Sequence, residues 1–221
     1  MRRSNALSHS SVAFGHSGRR PTGDDACLGW VGRICSAARR RGIDLTCYNL
    51  GIRRDTSIDI LARWQIEARA RLPDQYDGRL VFSFGANDCC PGEKVGGVRV
   101  SPQRALSNAN AILQVALAWR PTLMIGPLPI CDATVDPRIR SLSPDFAALC
   151  SQLNVPYLDM FDFVAASPVW AKEAAAGDGV HPNEGGYSLV AKAIEGCPTW
   201  WDWLECRVAT RRDDDVRRGH R

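Results

Sequence analysis

The run Arg79-Leu80-Val81-Phe82-Ser83-Phe84 constrains the fold more than any other stretch: it is almost continuously apolar, yet only as long as a strand. A strand covered on one face alternates apolar and polar side chains, whereas one covered on both faces does not, and double coverage is the condition of strands in parallel sheets. Four more runs read as strands, at 10–14, 45–50, 123–126 and 156–160. Helix-like runs separate them. Trp30, Val31, Ile34, Ala37 and Ala38 recur at helical spacing before a stop at Gly42, and Asp55-Thr56-Ser57 supplies helix-start chemistry, with Asp55 as the cap, for a run to about Leu72. Ser101-Pro102 opens a helix to Trp119, Asp136-Pro137 one to about Leu153, and Glu184 to Gly196 is the last. Five strand-like runs alternating with five helix-like ones predict an α/β fold, a single five-stranded parallel sheet with helices on both faces. In such a sheet the ligand lies at the carboxyl ends of the strands.

With 221 residues, 45% of them hydrophobic and 24% charged, the chain is long enough for one domain with a full core. That domain is expected over residues 10–206. Residues 1–9 and 207–221 read as flexible tails, the latter because mixed charge there comes with almost no apolar content. A net charge of +4, scattered among acids, singles out no nucleic-acid partner. The polar start, Met1 to Ser10, has no signal-peptide core, and no apolar run is long enough to span a membrane. Nine cysteines without repeated spacing fit reduced thiols in a cytoplasmic protein. Cys89-Cys90 is adjacent rather than zinc-spaced, so no metal is expected. Without a GxxxxGK or GxGxxG loop, nucleotide binding ranks last and no cofactor is expected. Trp200-Trp201-Asp202-Trp203 reads as packing surface, and oligomeric state is left open.

The chemistry-bearing stretch is Gly177-Asp178-Gly179-Val180-His181-Pro182-Asn183, where a carboxylate stands three residues before one of four histidines. On one turn that spacing lets Asp178 orient the His181 imidazole and stabilise its protonated form. Three polar strand tips converge on the same edge of a parallel sheet: Ser17 in Gly15-His16-Ser17-Gly18, Gly51, and Asn87 in Gly85-Ala86-Asn87-Asp88. Ester hydrolysis needs a nucleophile, a base and donors aimed at the developing oxyanion. Ser17 fits the first, His181 the second with Asp178 as its orienter, and the N–H groups of Ser17 and Gly51 with the Asn87 amide fit the third. The plainer alternatives are that Ser17 and Asn87 are turn residues, that Asp88 is a cap, that Gly51 serves backbone shape, and that Arg53 and Arg54 touch only water.

These residues resemble the SGNH, or GDSL-like, hydrolases, whose four blocks supply Ser, Gly, Asn and His. The second block looks like Tyr48-Asn49-Leu50-Gly51-Ile52-Arg53, the third like Phe84-Gly85-Ala86-Asn87-Asp88, and the last like Asp178-Gly179-Val180-His181-Pro182. The resemblance implies a flavodoxin-like three-layer α/β/α sandwich and a small-molecule ester substrate, as for esterases, lysophospholipase-like enzymes and carbohydrate deacetylases. The expected activity is hydrolysis of carboxylic esters through an acyl-enzyme on Ser17; the alternative is a catalytically impaired protein of the same fold that binds a small ligand in the cleft. The first block departs from the family's Gly-Asp-Ser, reading Gly15-His16-Ser17-Gly18-Arg19-Arg20-Pro21. As it stands, Arg19 and Arg20 either favour an anionic substrate or disorder the turn. A compensated reading-frame shift would also leave such a block, and translating the other two frames across codons 15–22 would then recover an Asp-Ser pair.

Overall fold

Five strands, β1 (His9–Gly15), β2 (Leu45–Asn49), β3 (Asp77–Ser83), β4 (Thr122–Ile125) and β5 (Tyr157–Leu158), pair in parallel in the order β2-β1-β3-β4-β5. The computed structural model describes residues 9–15, as backbone, and 23–206. Ser17, His16, Arg19, Arg20 and Pro21 lie outside the described residues, as does the stretch 207–221. His9, expected in a tail, is the first residue of β1, level with Leu45 and Asp77. The strands β1 to β3 carry most of the pairing, and β5 holds to β4 through Met124–Tyr157 and Ile125–Leu158.

Every residue of β3 is buried, and its pleat sends alternate side chains into two separate cores. Leu80 and Phe82 pack with Ile60 and Trp64 of α2 (Ser57–Arg69), Ile112 of α4 (Pro102–Leu117) and Phe146 of α5 (Asp136–Gln152). Val81 faces the other way, to Ile34 of α1 (Gly29–Arg40), Val190 of α8 (Glu184–Glu195) and Trp203 of α9 (Pro198–Glu205). Helices thus cover both faces of the sheet. The tryptophans at 200, 201 and 203 are buried in this second core, the packing role read from their sequence.

Arg79, the one charged residue of the run 79–84, is fully buried; it pairs with Asp77 at 2.9 Å and donates to the carbonyls of Trp203 and Cys206, tying α9 to the sheet. Two details differ from the sequence reading. The cap of α2 is Thr56, in a box with Asp59, while Asp55 pairs with Arg63 at 2.7 Å. The turn after β3 is a helical one, α3 (Ala86–Cys89), entered through Gly85 at φ 116°, where an added Cβ would lie 2.8 Å from the Phe146 ring.

Because all five strands run the same way, the segments following them emerge at one edge. From β1 the chain moves outward to β2, then crosses back to β3 and continues to β4 and β5, so the crevice of the sheet opens between β1 and β3.

Candidate active site

The turn between α7 (Pro168–Ala176) and α8 brings His181 to that edge. Asp178 Oδ2 lies 2.8 Å from His181 Nδ1, and Asp178 Oδ1 accepts the backbone N–H groups of Val180 (3.0 Å) and His181 (2.9 Å). Three contacts within four residues leave the carboxylate little rotational freedom. Burial works against its charge, but the two N–H groups and the imidazole outweigh that and hold the carboxyl at about 2. With Asp178 ionised, the Nδ1–H tautomer is favoured, which puts the ring's lone pair on Nε2.

The arm that carries this pair is held from behind by Glu173. Its carboxylate accepts the N–H groups of Asn183, Gly185 and Gly186 at 3.0, 3.1 and 2.8 Å, satisfying the orphan donors that open α8. Gly186 lets Pro182 close on the helix: an added Cβ would meet the Pro182 Cβ at 2.4 Å. Below it, Asp24 accepts from Leu28, Gly29 and both ends of the Arg33 guanidinium, and Arg33 reaches Ser188 of α8 at 3.0 Å. The Arg33 contact holds the Asp24 carboxyl below its ordinary range despite burial. These bonds fasten α1 to α8.

The loop after β2 is pinned by side chains from elsewhere. Arg63 donates to the Leu50 carbonyl at 2.9 Å, Arg99 to the Arg54 carbonyl at 2.6 Å, and Asn87 Nδ2 to the Asp55 carbonyl at 2.9 Å. Asp88, fully buried, accepts the Ser57 N–H at 2.8 Å, while Asn108 donates to the Ser57 hydroxyl at 2.9 Å. Burial pushes the Asp88 carboxyl up to about 6, against the pull of its Ser57 bonds. Asn87 and the Gly51 loop are therefore directly joined. Gly51, however, is not poised as an open donor: its N–H is taken by Asn49 Oδ1 at 3.0 Å. Three residues on, Arg54 holds a left-handed backbone at φ 71°, a conformation that costs a non-glycine residue about 1–3 kcal/mol, and its N–H has no partner among the described residues.

Ser17 itself lies outside the described residues. The backbone of β1 ends at Gly15, level with Ser83, so the strand leading to it points at the same edge. Asp178 and His181 are in contact; Gly51 and Asn87 are joined through Asp55; Arg53, with Nη2 at 3.3 Å from Asp178 Oδ2, links the two groups. Between α7, α8 and the segment after β4, Val180 and His181 face Leu128, Pro129 and Ile130 across a narrow apolar cleft of about 20 Å³, room for little more than one water molecule, lined also by Trp30 and Trp170. Glu173 and the Arg53 link are not legible in the sequence, because each acts on residues away along the chain, whereas Asp88 stands inside the third block and accepts the N–H of Ser57, the first residue of α2. The one available signal was Arg53 inside the second block.

Residues 10–189 match the GDSL-like Lipase/Acylhydrolase family. None of the curated proteins matches the chain significantly. Among solved structures, a lipase/acylhydrolase from Enterococcus faecalis is similar at 22% identity and TM-score 0.70, over 91% of this chain and 100% of that one. An acetylxylan esterase from Geobacillus stearothermophilus is similar at 18% and 0.67, over 91% and 100%. A psychrotrophic esterase from Pseudoalteromonas sp. is similar at 17% and 0.65, over 87% and 97%. These likenesses bear on the fold, and no helix among the described residues is long and apolar enough to cross a membrane. Matched over most of its length, the chain belongs to the GDSL-like lipase/acylhydrolase family and is an ester hydrolase.

Proposed function

We propose that the protein cleaves small carboxylic esters through an acyl-enzyme on Ser17, with His181 as general base and Asp178 as its orienter. His181 Nε2 takes the Ser17 hydroxyl proton as the oxygen attacks the ester carbonyl, then returns it to the departing alcohol; water repeats the sequence on the acyl-enzyme. The N–H groups of Ser17 and Gly51 and the Asn87 amide take the oxyanion, Gly51 by exchanging its Asn49 partner for the substrate oxygen. The observation that carries this reading is the 2.8 Å contact of Asp178 Oδ2 with His181 Nδ1, made by a carboxylate with two further bonds. The names of the similar structures, a lipase/acylhydrolase and an acetylxylan esterase, support acyl esters as the substrate class. Nine free thiols support a reducing, cytoplasmic setting.

A fluorophosphonate probe tests the nucleophile. Labelling of the wild-type protein on the Ser17 peptide, lost in Ser17→Ala, is expected. A folded wild-type protein that takes no label would instead be a ligand-binding member of the family.

A further inference from the structure

Two of the nine thiols face each other across the seam between α1 and β2. Cys35 lies on the helix and Cys47 on the edge strand of the sheet, two elements in direct contact. Cys47 shares a strand face with Leu45, which is buried in the second core, and Cys35 flanks Ile34 at the rim of the stripe that α1 buries there. Both are half-buried, and the two thiols are hydrogen-bonded to one another. Other sulfur contacts lead to groups that cannot couple: Cys150 Sγ meets the Met124 thioether at 3.8 Å, Cys90 Sγ the Ala86 carbonyl at 3.6 Å and Cys27 Sγ the Asp25 carbonyl at 3.8 Å. Cys89 and Cys90 are chain neighbours, whose Cα atoms stand closer than an unstrained bridge requires.

We infer that Cys35 and Cys47 are a disulfide-forming pair, a dithiol in the reduced protein and bridged by reaction with a hydroperoxide. The bond donated by Cys35 makes Cys47 the more acidic thiol, against the effect of burial, so Cys47 reacts first. Its thiolate attacks one peroxide oxygen, the O–O bond breaks, and the departing hydroxide takes up the thiol proton to leave as water, giving a sulfenic acid. The Cys35 sulfur then attacks the Cys47 sulfur, the S–O bond breaks, and the hydroxyl leaves with the Cys35 proton as a second water. Two thiols lose two electrons and one peroxide becomes two waters. The bridge ties β2, which feeds the loop carrying Gly51, to α1, whose Arg33 already holds Ser188 of α8 at 3.0 Å.

The test oxidises the purified protein with a small excess of hydrogen peroxide, alkylates the remaining thiols and digests with trypsin. The bridge appears as the peptide Ile34–Arg39 joined to Gly42–Arg53, each with one cysteine. This pair should be the main cross-link, should vanish with dithiothreitol, and should come with a rise in Tm of about 5 °C, because closing residues 35–47 restricts the unfolded chain. Cys35→Ser should abolish the link and the rise and leave a Cys47 sulfenic acid that dimedone traps. Recovery of Cys35 and Cys47 as alkylated thiols, at peroxide levels that oxidise the exposed Cys27 or Cys206, overturns the inference, as does finding each bridged to a different cysteine. A linked pair with no rise in Tm overturns its role as a brace between α1 and β2.

Discussion

The arm that carries the proposed base and the loop that carries the proposed oxyanion donors are built in opposite ways. Asp178 is saturated by groups two and three residues away, and His181 is buried to 9% exposure. The loop after β2 has one local bond, from the Gly51 N–H to Asn49 Oδ1, and is otherwise held from outside, its carbonyls at 50, 54 and 55 clamped by Arg63, Arg99 and Asn87. A base must keep one tautomer and one direction through the whole cycle, whereas an oxyanion donor acts only when charge develops. The difference teaches that the first is rigid by local chemistry and the second by tertiary clamps.

The largest expected effect breaks the base arm. His181→Ala should lower kcat for p-nitrophenyl butyrate by about 10⁴-fold or more, and Asp178→Asn by about 10⁴-fold, with circular dichroism spectra unchanged. Because Asp178 is held at about 2, its carboxylate is charged throughout the working range. The linked stability is present above pH about 4 and lost as pH falls toward about 2. A kinetic pKa assignable to Asp178 near neutrality would contradict the contact geometry.

Next in size is Asn87→Ala, which removes the proposed oxyanion donor and the clamp on Asp55 together. A fall of about 100- to 1000-fold in kcat is expected, with KM nearly unchanged. A rise in KM alone would make Asn87 a substrate-binding group rather than a transition-state donor.

Asp88→Asn probes the loop's anchor without touching the chemistry. The buried carboxyl titrates near 6, above its ordinary 3.8, so ionisation destabilises the fold increasingly as pH rises through that interval. An amide keeps an oxygen for the Ser57 N–H and carries no charge. Urea unfolding should show the variant more stable than wild type by about 1–3 kcal/mol at pH 7.5, and by much less at pH 4. Equal gains at both pH values would place the benefit in packing instead.

The smallest effect sharpens the comparison most. Asn49→Ala removes the bond that occupies the Gly51 N–H, worth about 0.5–1.5 kcal/mol, and should raise kcat by about 2- to 10-fold. A fall would move the donor role along the loop, toward the Arg54 N–H.

Much of this was legible in one dimension. The helix-spaced residues Trp30, Ile34 and Ala38 and the unbroken run 80–82 predict their own burial, because periodicity reports how many faces of an element are covered. The Asp178–His181 contact was legible for the same reason: a spacing of three on one turn is local geometry. Asp55 was misassigned as a cap because Thr56, beside it, has the same chemistry, and only the Asp59 partner distinguishes them. The partners of buried Arg79 have no local signature, because the carbonyls of Trp203 and Cys206 lie more than a hundred residues away.

What the amino-acid order determined alone is the alternation of strands and helices and the pairing of an imidazole with a carboxylate three residues earlier. These depend on contacts within a few residues, whose geometry the backbone dictates. Which N–H groups are already engaged, which arginines face outward, and how Arg53 reaches Asp178 across 125 positions were decided only when the layers docked. Bonds between distant segments depend on their relative placement to within an ångström, and no pattern along the chain encodes that.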